Sequence, residues 1–283
     1  MKKRLLLLLL FCQFPAAGIS DEALTASSLY SRMMSAMKQV RTCSFILDIE
    51  ERINGEMKTS KFIVKLQPRP YKLYAYSVHP NPGAEALLIE GHNNGKVLIN
   101  PNRFPFVNIS LSPYNGLLRK NHQYTMLQMG FEYVTQLLEA YQHREGAAFH
   151  QKLSFKNEVM AGNKNYYLLV IDNPDFGHNK VTVKKGETIT SIANRLFLND
   201  RMILELNPGC SDYDDVKAGD VLTVPNGFAK KIVFHIDKKN MLPLIQTTYD
   251  DKGLYGKVTF SSFVLNPEFS DNDFSRSNPK YNF

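Results

Sequence analysis

Residues Lys180 to Pro225 read KVTVKKGETITSIANRLFLNDRMILELNPGCSDYDDVKAGDVLTVP, a stretch whose pattern closes on itself. A short strand runs into a turn at Lys185-Gly186. Thr188 and Ser191 then offer N-capping oxygens, and Ile189, Ile192, Ala193 and Leu196 recur at helical spacing, so one apolar stripe faces a core. A second helix carries Met202, Ile203 and Leu206. Asn207-Pro208-Gly209 ends it, because proline disfavours helical geometry in the residue before it and glycine tolerates the exit conformation. Lys217-Ala218-Gly219-Asp220 turns the chain into Val221 to Val224 and a proline. The whole reads as a β-α-α-β unit whose outer strands pair with each other.

The wording of its pieces, VKKGET, SIA, LNPG, VKAGD and LTVP in that order, resembles LysM, a family of small modules that bind N-acetylglucosamine-containing glycans such as peptidoglycan. The resemblance implies a module over residues 179–227. It also implies a shallow glycan groove, with Gly186, Glu187, Thr188 and Ile189 on one side and Asn207, Pro208 and Gly209 on the other. Backbone N–H and C=O groups would hold the acetamido group, and Ile189 would touch the sugar ring. Two departures stand out. Glu187 and Ile189 replace the usual Asp and Leu, and the second loop is lengthened by Cys210 to Asp215, toward the groove.

Residues 1–20 are a separate matter. Lys2, Lys3 and Arg4 precede an apolar run from Leu5 to Phe11, and Ala16, Ala17 and Gly18 follow. This is the layout of a cleaved signal peptide, and the run is too short to span a membrane. The mature chain is therefore read as exported, periplasmic or cell-envelope, with no transmembrane span. Lipidation at Cys12 is disfavoured because Phe11 stands where a lipobox has a small residue. Losing the three cations lowers the formal net charge from +7 to +4. The remaining Lys and Arg are scattered, so nucleic acid is not implied. Cys43 and Cys210 are expected to be unpaired thiols.

With 43% hydrophobic residues over 283, the chain can bury a real core. An amphipathic helix is expected over 23–40, on Ala26, Tyr30, Met33, Met37 and Val40. Phe45, Leu47, Ile49 and Ile53 then alternate with polar residues, Asn54-Gly55 makes a hairpin turn, and a partner strand runs to Leu66. Further strands are read at 71–77, 86–90, 96–100 and 106–111. A second helix is read at 126–141, with Met126, Gly130, Tyr133, Leu137 and Tyr141 on one side. Strands at 151–159 and 165–172 precede the module, and strands at 231–237, 242–249 and 256–263 follow it. One strand-rich domain, 21–178 and 228–283, thus carries the module as an insert, which is tolerated where the ends of the guest lie close together.

The segment RPYKLYAYSVHPNPGAEALLIEGHNNGKVLINP at 69–101 resembles a bacterial envelope family of unknown function near the lipoprotein carriers, as does the ending FVLNPEFSDNDFS. The implied fold is α+β: a curved antiparallel sheet or incomplete β-barrel with covering helices. In such a carrier an apolar cavity holds lipid or lipoprotein, and Phe45, Leu47, Phe62, Val64, Leu73 and Leu88 are candidates to line it. Alternation alone favours an ordinary filled core.

Chemistry is sparse. The seven histidines lack metal-site spacing and are expected on the surface or in loops. Asp212, Asp214 and Asp215 lack the ligand alternation of a calcium loop and read as a solvated acidic loop. Glu50 and Glu51 point to opposite faces of a strand, which argues against a glycosidase pair. No catalytic residue, metal or cofactor is assigned. The reading is a non-catalytic envelope protein that binds peptidoglycan or another N-acetylglucosamine glycan, its host domain binding lipid or lipoprotein. The alternatives are a lipid or lipoprotein carrier in which the module is only an anchor, and a peptidoglycan-modifying enzyme.

Overall fold

The computed structural model describes residues 24–104 and 106–283. The signal peptide read at 1–20, with Cys12, lies outside the described residues. Helix α1 (Ala26–Lys38) opens with a reciprocal cap between Thr25 and Ser28 and buries Leu29, Tyr30, Met33, Met34 and Met37. A meander follows: β1 (Cys43–Ile53), β2 (Glu56–Pro68), β3 (Tyr71–His79), β4 (Glu85–Ile89), β5 (Val97–Asn100) and β6 (Ile109–Leu111). Asn54 and Gly55 both take positive φ, as the tight β1–β2 turn requires. After α2 (Gly116–Arg119) and α3 (Glu132–Glu145) come β7 (Leu153–Ala161) and β8 (Lys164–Asp172). The inserted stretch forms β9 (His178–Thr182), α4 (Ile189–Leu196), α5 (Asp200–Leu206) and β10 (Val221–Pro225). The chain ends in β11 (Lys231–Asp237), β12 (Pro243–Asp250), β13 (Gly253–Leu265) and a C-terminal strap.

Eleven strands form one antiparallel sheet in the order β6-β5-β4-β3-β2-β1-β13-β12-β11-β8-β7. β6 and β7 are its edges, so the barrel is not closed. Bulges at Ser44/Ile46, Lys61/Phe62, Thr248/Tyr249 and Lys156/Val159 bend the strands. Along β1 the alternation puts Phe45 and Leu47 inside, where α1, α3 and the sheet share one apolar core. The sheet leaves at Asp172 and resumes at Lys231, its partner on the neighbouring strand, while β9 and β10 pair with each other in a separate sheet. Ile189, Ile192, Ala193, Ile203, Leu222 and Val224 make that unit's own core.

Three local readings change. The helix expected from Met126 begins only at Glu132, because Gly130 takes φ +85° and a side chain there would meet Leu66 Cδ2 at 2.4 Å. Only Ile109–Leu111 of the 106–111 strand pairs. Leu206 is only partly buried and lies outside the insert's core.

The strap packs on the outer face of the sheet, where Phe274 meets Tyr74 and Leu87 and Tyr281 stacks on Tyr74 at 3.7 Å. The Lys65 ammonium, 2.7 Å from Asp273, together with Ser270, holds that carboxyl down from 3.8 to about 2. Because the folded value is the lower one, this contact stabilises fully above about pH 4 and is lost as pH falls through about 2. The chain has no tryptophan, so near-ultraviolet circular dichroism reads its tyrosines. The signal is expected to weaken over that window, and Asp273→Asn should remove the step.

Candidate functional site

A cavity of about 700 Å³ lies between the concave sheet face and the segment from Pro113 to Leu138. Its walls are apolar: Leu47, Phe62, Ile99, Val258 and Phe260 from the sheet, Leu118, Met126 and Tyr133 from the cover. Two small residues help leave it unfilled, Ala75 and Ala86, which pair on neighbouring strands. The filled core favoured by alternation is therefore corrected, since alternation sets which way a residue points but not its volume. Of the six proposed lining residues, Leu47 and Phe62 face the cavity, whereas Phe45, Val64, Leu73 and Leu88 are packed in the core.

The cavity has a polar end. Glu51, 3% exposed, accepts the Gln123 backbone N–H at 3.0 Å and lies 3.1 Å from His122 Nδ1. Gln123 donates its amide to the carbonyls of Arg52 and Tyr255, which leaves its Oε1 over Gly256. Gln123 Oε1 and Ser77 Oγ are buried without a protein partner. Both residues border the cavity. His122 lies in a loop, half-buried, as expected of a loop histidine, whereas His235 is half-buried on β11, where burial and Lys257 lower its pKa.

The inserted unit is locked to the host beside this cavity. Arg119, 1% exposed, donates to Asp200 at 2.6 Å and Thr190 at 3.1 Å and lies 3.5 Å above the Tyr213 ring. Nearby, Arg201 and Glu205 clasp Asn54 at the β1–β2 tip, and the Tyr255 hydroxyl reaches Asn199 at 3.3 Å. The acidic loop is therefore solvated only at its carboxylates, because Tyr213 is buried under Arg119.

Most side chains of the expected glycan groove are already engaged. Gly186 turns at φ +78°. Glu187 accepts the Lys184 N–H at 2.9 Å and pairs with Arg195. Thr188 exchanges bonds with Ser191 as the cap of α4. Asn207 spends its amide on Ile203 and on both backbone groups of Thr223. Pro208 and Gly209 are exposed, and Pro208 borders a second cleft of about 420 Å³ shared with Asn54 and Lys252 of the host. Ile189 corrects its assigned role: it is 0% exposed, facing the core from the first turn of α4, so it offers no surface to a sugar ring. Its N–H goes to the Tyr213 carbonyl at 2.8 Å, so the lengthened loop closes onto the first loop.

An unclosed antiparallel barrel with a cavity under its helices thus carries a small β-α-α-β guest module. The chain belongs to the DUF1571 family of proteins of unknown function, whose profile matches residues 40–199, more than half of it, and residues 181–225 are a LysM domain. Among solved structures, a LolA superfamily protein from Nitrosomonas europaea matches at 10% identity and TM-score 0.34, covering 90% of this chain and 99% of its own. The Mycobacterium tuberculosis lipoprotein LppX matches at 9% and 0.40, covering 87% and 98%. The fold assignment rests on the strand order itself. No curated protein matches the chain. Among the described residues, no helix is long and apolar enough to cross a membrane.

Proposed function

We propose that this is a non-catalytic envelope protein whose half-barrel holds an acyl chain of a lipid or lipoprotein while its LysM domain, taken as residues 179–227, moors it to peptidoglycan. The cavity carries the reading. Its volume falls in the roughly 300–1,000 Å³ range of small-molecule sites, with apolar walls and a few placed polar groups. A chain lies along the walls, and Gln123 and Ser77 meet a polar group at its end. For the glycan, the module uses the backbone of Gly186, Glu187, Thr188 and Ile189 on one side and of Asn207, Pro208 and Gly209 on the other, apart from the Ile189 N–H, which already bonds the Tyr213 carbonyl. Burial pushes the Cys43 thiol up to about 12, and burial with Asp215 and Asp220 raises that of Cys210.

Two measurements separate the two halves of the reading. A fluorescent long-chain fatty acid should titrate the protein to saturation at one site; no saturable binding overturns the lipid half. Sedimentation with insoluble peptidoglycan should retain the intact protein and lose the variant lacking residues 179–227. Equal retention overturns the glycan half.

A further inference from the structure

The end of the cavity that reaches the surface is bordered by Arg103, Ile109, Leu117 and Lys120, all exposed. Leu117 is 75% exposed, and within three residues of the lining positions Arg103, Ile109 and Pro113 come more large apolar side chains turned to solvent: Phe104 at 85%, Phe106 at 73% and Tyr114 at 48%. The Phe106 N–H bonds the Arg103 carbonyl at 2.7 Å, which ties Phe106 back to a lining residue. Scattered exposed apolar residues are ordinary, but four bulky ones on the two chain segments that border the mouth of an apolar cavity make a patch.

The charge around the patch selects its partner. No Asp or Glu occurs between Glu90 and Glu132, a span that carries Lys96, Arg103, Arg119 and Lys120. Arg119 is spent on Asp200, while Lys96, Arg103 and Lys120 are exposed and none of them has a carboxylate within ion-pair distance among the described residues. Aromatic side chains flanked by unpaired cations are the combination that seats a protein in the headgroup layer of an anionic membrane.

We propose that this rim docks on an anionic lipid bilayer. Phe104, Phe106 and Leu117 enter the interfacial layer and Arg103 and Lys120 meet headgroup phosphates. The mouth of the cavity then opens at the lipid, so an acyl chain enters without crossing water. This rests on the cavity taking a chain, and its test is kept separate from that reading.

Purified protein is sedimented with vesicles of phosphatidylglycerol and phosphatidylcholine, and with phosphatidylcholine alone. Binding to the anionic vesicles is expected, falling roughly ten-fold or more in F104S/F106S, and the anionic preference is expected to vanish in R103Q/K120Q. All four substituted side chains are exposed, so folding is not at stake, and the fatty-acid titration of F104S/F106S, whose residues lie outside the cavity lining, should match that of the original. Absence of vesicle binding, or equal binding by F104S/F106S, overturns the docking proposal whatever the titration shows. A rim-dependent dimer in sedimentation equilibrium without vesicle binding would overturn it in favour of a second copy. Failure of the titration with vesicle binding intact removes the cavity reading and leaves the surface.

Discussion

Arg119→Leu is expected to cost about 3–5 kcal/mol and to unseat the LysM domain from the barrel. The substitution leaves Asp200 buried with only the Thr190 hydroxyl, at 2.9 Å, to answer its charge. It also strips the cation from the Tyr213 ring, a contact worth about 0.5–2 kcal/mol that belongs to the same total rather than adding to it. Chemical denaturation reads the loss. Limited proteolysis near Asn173 to Gly177 and Asn226 to Lys230, the two connections of the module, reads the undocking. Adding Asp200→Leu should recover much of the stability, because replacing a buried pair by apolar groups is often neutral or better. A loss below about 1 kcal/mol for Arg119→Leu would show that the pair is merely tolerated at the junction.

Filling the cavity should separate binding from folding. Phenylalanines at Ala75 and Ala86 project from adjacent strands into empty space, so the usual penalty of about 1–3 kcal/mol for overpacking a full core should not be met. Stability is expected to hold or rise. Fatty-acid affinity is expected to fall at least about ten-fold, equivalent to roughly 1.4 kcal/mol of lost binding. If both properties fell together, the positions would be packed core and the cavity too small to matter.

The strands, the α4 cap and the insertion were legible because each is local: alternation in β1, Thr188 with Ser191, and the turn at Asn54-Gly55. Gly130 misled because its spacing fits a helix, while its backbone is bound to a φ that no helix contains. Ile189 was legible as interior from the helical stripe it shares with Ile192 and Ala193, and only the resemblance gave it a sugar contact that this burial denies. The cavity was signalled only by small residues at Ala75 and Ala86, which acquire meaning once β3 and β4 share a face beneath the covering segment. Arg119 carried no signal. It ends the single-turn helix α2, and its partners Thr190, Asp200 and Tyr213 are brought to it by the packing of the insert's core against the host.

The central claim, that the half-barrel holds an acyl chain, is tested most directly by native mass spectrometry of protein purified without detergent. The account predicts a bound lipid mass on most molecules of the original chain and bare protein for Ala75→Phe with Ala86→Phe. Bare protein in both, or the same adduct in both, would contradict it.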